Sequence, residues 1–214
     1  MSVNPSLLLA SRSPARLATL RSAGVRPQVR VSEVDVDAVV AAYGVDDPSD
    51  VALLLARAKA EDVARHVDDV LVLGCDSVLD LDGVAFGRPA DAADAVARWQ
   101  AMRGRAGVLR TGHWLVDTRD PEDGGTGASV GELSSTEVRF AALDDHEIEA
   151  YVAPGEPLQV AGAFTLDGLG GAFVEGVDGD PHAVVGVGLP TQRRLLDQVG
   201  VRWSELWDLE DGEA

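Results

Sequence analysis

Short apolar runs alternate along this chain with segments whose apolar residues recur every three or four positions, the pattern of an α/β domain. Leu7-Leu-Leu-Ala10 predicts a buried strand at 6–10 that stops at two serines. Ser13 then suits an N-cap, Pro14 the first helical position, and the helix continues through Leu17-Ala-Thr-Leu20 to stop near Gly24. A second strand is expected at 28–34. Asp47-Pro48-Ser49-Asp50 opens a helix that runs to about His66. Val70-Leu-Val-Leu-Gly74 reads as another buried strand, and residues 78–86 as a hairpin around the Asp82-Gly83 turn. Asp91, with Asp94 at the third position, caps a helix through about Met102. Strands at 107–118 and 133–143 flank residues 119–131, whose Gly, Pro and Asp content predicts a mobile surface loop. Asp144 and Glu147 make a capping-box-like start to a short helix ending near Tyr151. Residues 161–190 are glycine-dense, a last helix is expected at 190–199, and no internal repeat is visible.

The 214 residues suit one domain at 1–205, or two tightly fused lobes, followed by an acidic tail at 206–214. No apolar run is long enough to span a bilayer, and residues 1–10 lack a basic n-region and a cleavable apolar region, so a cytoplasmic protein without membrane contact is expected. One cysteine, Cys75, excludes an internal disulfide and a Cys-rich zinc site, and the four histidines lack ligand spacing. A net charge of −18 argues against nucleic acid and anionic membranes as partners. The same charge repels a small phosphorylated ligand unless arginines gather in one cleft or a divalent cation intervenes. A local basic cluster is therefore more informative here than in a neutral chain.

Such a cluster stands at Ser11-Arg12-Ser13-Pro14-Ala15-Arg16. A strand, a hydroxyl-rich turn and a helix start with an arginine in its first turn make an anion site, because free N–H groups and the positive helix end favour phosphate and a guanidinium fork clamps its oxygens. A capped helix with a surface arginine is the plainer reading. Of 18 Lys plus Arg residues only Lys59 is lysine, and it lies one helical turn from both Leu55 and Val63, on or beside the apolar stripe. A core-directed ammonium needs a partner charge, unless its stem lies along the core and its head reaches water. Gly74-Cys75-Asp76-Ser77 places a carboxylate at a strand end, where ligands of α/β sheets bind and where an acid can hold a metal or take a proton from water. A simple Asp-Ser turn is the other reading. Arg88-Pro89 can present a guanidinium to phosphate. Glu33 is a candidate second acid, although Glu33, Asp35 and Asp37 alternate as an exposed acidic strand edge also would. Gly168-Leu-Gly-Gly171 permits close backbone approach to a ligand, or is only a turn.

In unbroken order over about residues 5–200, these pieces resemble the Maf family. Ser11-x-Ser13-Pro14-x-Arg16 resembles its SxSPRR opening, Lys59-Ala60 its KA element, Gly74-x-Asp76-Ser77 its G-x-D-T segment and Arg88-Pro89 its K-P. Glu156-Pro157-Leu158, Ala161-Gly162-Ala163-Phe164 and the glycines to Gly171 resemble its EPxDKAGAYxIQGxGG stretch; Asp178-Gly179-Asp180 through Gly186-Val-Gly-Leu-Pro190 resembles its closing G-D-x-x-x-V-V-G-L-P. The resemblance implies an α/β fold of the Maf and inosine-triphosphatase type, a mixed twisted sheet flanked by helices with a central cleft. It implies a cytoplasmic nucleoside triphosphate pyrophosphatase that cuts between the α- and β-phosphates, needs Mg²⁺ or Mn²⁺ and is often a homodimer. Carried over residue by residue, the catalytic and metal-binding acid is Asp76, with Glu33 as an additional metal acid. The phosphate ligands are Ser11, Arg16, Lys59 and Arg88, with Ser13 and Ser77 in the same motifs. The other reading that the family name carries is a non-catalytic nucleotide-binding regulator of septum formation.

The chain departs from the pattern at several points. Ala15 replaces the first arginine of the opening motif, so Arg12 is a candidate substitute; Arg88 stands for lysine. Gln159-Val160 replaces an Asp-Lys pair, and Asp167 replaces a glutamine where the base is expected to be read. A carboxylate only accepts hydrogen bonds, so Asp167 should favour base edges rich in N–H groups, unless it faces solvent in its turn.

Overall fold

The computed structural model describes residues 5–208. Seven strands form one mixed sheet in the order β2-β1-β3-β5-β6-β7, with β4 also on β3. β1 (Leu7–Leu9) lies parallel to β2 (Gln28–Val29) and to β3 (Leu71–Leu81). β4 (Val84–Phe86) returns on β3 as the expected hairpin, and β5 (Ala106–Asp117), β6 (Ser129–Phe140) and β7 (Val174–Asp178) continue the sheet antiparallel. Among the described residues no helix is long and apolar enough to cross a membrane.

Helices start where the caps predict. Ser13 accepts the Arg16 amide at the head of α1 (Pro14–Ser22), and Asp47 accepts the Ser49 and Asp50 amides at the head of α3 (Pro48–Ala64), once α2 (Val36–Tyr43) has ended. Asp91 caps α4 (Ala92–Met102), and Asp144 with Glu147 closes a full capping box on α5 (Asp145–Val152). The short α6 (Pro181–Val185) precedes α7 (Leu189–Gln198). Beyond α7, Trp207 bridges to Val25 and the Asp208 amide donates to the Gly24 carbonyl. Of the expected acidic tail, residues 209–214 lie outside the described part.

Three expectations need correction. Residues 28–34 are not one strand: β2 ends at Val29, and the acidic alternation belongs to a helix start. Asp35 caps α2 by accepting the Ala38 amide, Asp37 sits in its first turn, and Val36, Val39 and Val40 pack on α3 at helical spacing. Asp76 is not at a strand end, because β3 runs unbroken from Leu71 to Leu81. Residues 119–131 are not a loose loop, and β6 already begins at Ser129. Arg119 forks onto buried Asp117 and donates to the Val199 carbonyl, while the Thr126 amide and hydroxyl also bind Asp117. Burial works against the Asp117 charge, but Arg119 and Thr126 outweigh it and hold the carboxyl down to about 2.

α3 covers one face of the sheet at unusually close range. A Cβ on Gly74 would stand 2.3 Å from the Ala56 carbonyl oxygen, and one on Gly112 would stand 2.3 Å from that of Ala52. Only glycine admits the helix backbone that near. The opposite face carries two apolar cores, one of Leu7, Leu9, Leu73, Cys75, Leu115 and residues of α1 and α7, the other of Leu79, Leu109, Val138 and Phe140 around Trp99 of α4. Between them runs a belt of Ser77, Thr111, His113, Ser134 and Thr136, set by the strand registers and roofed by α6 and the α6–α7 turn.

One edge of β3 is interrupted. β1 pairs with residues 71–73 and β4 with 79–81, and among the described residues no strand pairs with 74–78 on that side. The notch leaves the backbone beside Asp76 without a strand partner on that side, next to the end of β1 and the start of α1. Parallel strands that end beside an opening of this kind form the crevice that ligands use in α/β sheets.

Candidate active site

Asp76 and Lys59 meet at this notch. Asp76 alternates with Gly74 and Val78 on the α3 side of β3, and the close seat of α3 on Gly74 brings Lys59 Nζ onto Asp76 Oδ1 as an ion pair. Both side chains are largely buried, at 13% and 14% exposure, so each charge depends on the other for compensation. The lone lysine is thus aimed at a carboxylate rather than at bulk water. Asp76 Oδ2 has no hydrogen-bond partner among the described residues.

Arg16 comes to the notch from α1. Its Nη1 donates to Ser11 Oγ at 3.2 Å, its Nη2 to Ser77 Oγ at 3.3 Å, and its Nε to the Gly186 carbonyl at 2.8 Å. Ser11 Oγ also accepts the Ser13 amide, so the turn before the helix is folded around that hydroxyl. Ser77 shares a hydrogen bond of 3.0 Å with Thr111, whose hydroxyl donates to the Ala183 carbonyl. Ser11, Ser13, Arg16 and Ser77 therefore form one connected group at the start of α1. This is the geometry for an anion: a fixed guanidinium, hydroxyls and a positive helix end.

The remaining candidates lie farther out. Arg12 is exposed and makes no ion pair among the described residues. Arg88, also exposed, follows β4 at the other border of the notch; Arg98 donates to the Gly87 and Arg88 carbonyls and forks onto Asp94. Glu33 is exposed, and its amide donates to Asp62 of α3, one turn beyond Lys59, but its carboxylate contacts neither Asp76 nor Lys59. Asp167 is exposed in a turn held from below by Glu156, which accepts from the Thr165 hydroxyl and the Leu169 and Gly170 amides. Burial opposes the Glu156 charge, but those donors prevail and keep its carboxyl below the ordinary glutamate range.

Sequence reasoning missed Thr111, His113 and Arg98, and took Glu156 and Asp180 only as members of motifs, without a role. A signal for the first two was present: in Leu109-x-Thr111-x-His113-x-Leu115 two polar residues occupy inward positions of an otherwise apolar alternation. His113 is fully buried, and burial first, then the charges of Arg16 and Arg194, push its imidazole down to about 4.

Among the described residues no group of three or more His, Cys, Asp or Glu converges. A Mg²⁺ held by one or two carboxylates together with substrate phosphates and waters needs no such cage, and Asp76 with its second oxygen uncommitted fits that mode.

Comparisons with known proteins show the family to which the chain belongs. The family model described as Maf-like protein matches residues 6–199. A nucleoside triphosphate pyrophosphatase of Streptomyces coelicolor is 55% identical over 203 residues, 94% of either chain. Proteins with the same name from Rhodococcus jostii and Leifsonia xyli are 54% and 49% identical, each covering 94% of this chain and 96% of its own. On the span of that model and the closeness of these relatives, the chain belongs to the Maf-like protein family.

Proposed function

We propose that this protein is a nucleoside triphosphate pyrophosphatase of the cytoplasm, hydrolysing the anhydride between the α- and β-phosphates to a nucleoside monophosphate and pyrophosphate. The observation that carries the reading is the Lys59–Asp76 pair opening at the β3 notch beside the Arg16 anion site. The names of the relatives support it. The triphosphate lies across the start of α1, with Arg16 and Ser11 on one phosphate and Lys59 and Arg88 on the others. Asp76 orients a water for in-line attack at phosphorus and is itself held in place by Lys59. Asp76 and Glu33 would hold Mg²⁺ or Mn²⁺ together with phosphate oxygens, and the ion would supply charge neutralisation of the polyphosphate. The protein's own contribution is chiefly positioning and electrostatic stabilisation.

The test is pyrophosphate release from a panel of ribo- and deoxyribonucleoside triphosphates with Mg²⁺ or Mn²⁺. Native protein should release pyrophosphate, and Asp76→Asn should fold but lose turnover by about 10³-fold or more. Release of orthophosphate instead of pyrophosphate, or near-native turnover by Asp76→Asn, would sink the proposal.

A further inference from the structure

We infer that His113 is a positioning residue for Arg16: it pins the turn between α6 and α7, and that turn holds the Arg16 guanidinium by the Gly186 carbonyl. The contacts form a chain. The Gly188 amide donates to His113 Nε2 at 2.7 Å, and Arg16 Nε donates to the Gly186 oxygen at 2.8 Å. Gly186 has a φ of +122°, and a Cβ there would meet Arg16 Nε at 2.9 Å, so turn and guanidinium are fitted to one another. A Cβ on Gly188 would meet Asp180 Oδ2 at 2.7 Å and His113 Cε1 at 3.4 Å, which leaves the turn no room to slide over the belt. Because Nε2 accepts an N–H, the ring is neutral with its proton on Nδ1.

Filling the core does not account for this histidine. Its neighbours on the same face of β5 are Thr111 and Leu115, with Leu109 one step beyond Thr111, and an apolar side chain at 113 would continue the core at Leu115. Instead His113 Nδ1, Asp180 Oδ2 and both amide atoms of Gln192 are buried without a hydrogen-bond partner among the described residues. Buried polar atoms left unpaired destabilise a fold, so their retention points to a task other than stability. The one strong bond His113 makes is to the turn that carries the Arg16 anchor.

This inference rests on Arg16 being a phosphate ligand. The experiment measures pyrophosphate release kinetics and melting temperature for His113→Gln, His113→Asn and His113→Leu, each alone and combined with Arg16→Ala. Gln places an acceptor near the position of Nε2, whereas Asn stops short of it and Leu has none. Asn and Leu should lower kcat/KM by about tenfold, mostly through KM, and Gln should stay within about threefold of native. On the Arg16→Ala background all three should cost nothing further, since the group they position is gone. Losses that persist in full on that background, or a Gln variant that falls as far as Asn, would overturn the inference while leaving Arg16 in its role. Native kinetics for Arg16→Ala would remove the phosphate role and the inference with it. Should the Leu variant not fold, the Gln and Asn pair decides alone.

Discussion

Arg16 and Arg88 border the same notch from opposite sides, and the protein treats them differently. Arg16 is bound through all three guanidinium nitrogens to Ser11, Ser77 and Gly186. Arg88 is exposed, and only its backbone carbonyl is held, by Arg98. The same contrast separates Lys59, paired with Asp76, from Arg12, which makes no ion pair among the described residues. One border is ordered before any ligand arrives, so binding there loses little side-chain entropy; the other must be ordered by the ligand and gives up part of its interaction energy in doing so. Groups that act on the transition state belong on the first border.

The sharpest way to break this comparison is Lys59→Met. Methionine satisfies the same apolar flank of α3, so the helix should persist, while transition-state stabilisation should fall by about 2–4 kcal/mol in kcat/KM. Retained activity would mean that Asp76 works without its cation and that pre-ordering has little value here.

Acid titration sharpens the comparison from the side of stability. His113 titrates at about 4 when folded against an ordinary 6.5, so between those values the unfolded chain binds the proton and the native protein does not. Stability contributed by the neutral ring is complete above about 6.5 and declines as pH falls toward 4, by up to about 3 kcal/mol. Burial is the first cause of that depression, and the Arg16 and Arg194 charges add to it. Denaturant midpoints measured from pH 7 to pH 4 should show this decline in native protein and a weaker one in His113→Gln. Equal slopes would place the acid sensitivity elsewhere.

Smaller effects separate the arginines. Arg16→Ala should lose about 2 kcal/mol of kcat/KM, Arg88→Ala about half of that, and Arg12→Ala under about 0.5 kcal/mol. A loss at Arg12 equal to that at Arg16 would show that Arg12 has taken the role vacated at Ala15. The smallest expected change is Asp167→Gln, a shift of a few-fold in relative kcat/KM toward uracil and thymine nucleotides, because an amide both donates and accepts. An unchanged base profile would place Asp167 outside the pocket.

Much of this was legible from residue order. Caps and stops at Ser13, Asp47, Asp91 and Asp144 located four helices, since a cap is decided by a few neighbouring residues. Lys59 stood out by rarity and by its place on a helix stripe, but its partner did not: which carboxylate it meets depends on how near α3 sits to β3, a tertiary fact written in Gly74 and Gly112. α2 was missed because Glu33-x-Asp35-x-Asp37 mimics strand alternation, while its helical signal in Val36, Val39 and Val40 emerges only once α3 is there to receive it. The belt as a group was not legible for a similar reason, although Thr111 and His113 each break an apolar alternation. Ser77, Thr111 and Thr136 come from three strands, and their adjacency follows from sheet register rather than from any local pattern.

The interrupted edge of β3 has a consequence for how this molecule behaves in a crowded solution. Backbone groups left open along a strand are a template for foreign strands, and most proteins hide or charge such edges. Here the opening is limited to residues 74–78 and closed at both ends by β1 and β4, too short a span for an intruding chain to gain a stable register. The gap beside Asp76 is therefore open to a small ligand while offering an intruding strand too little length to pair with.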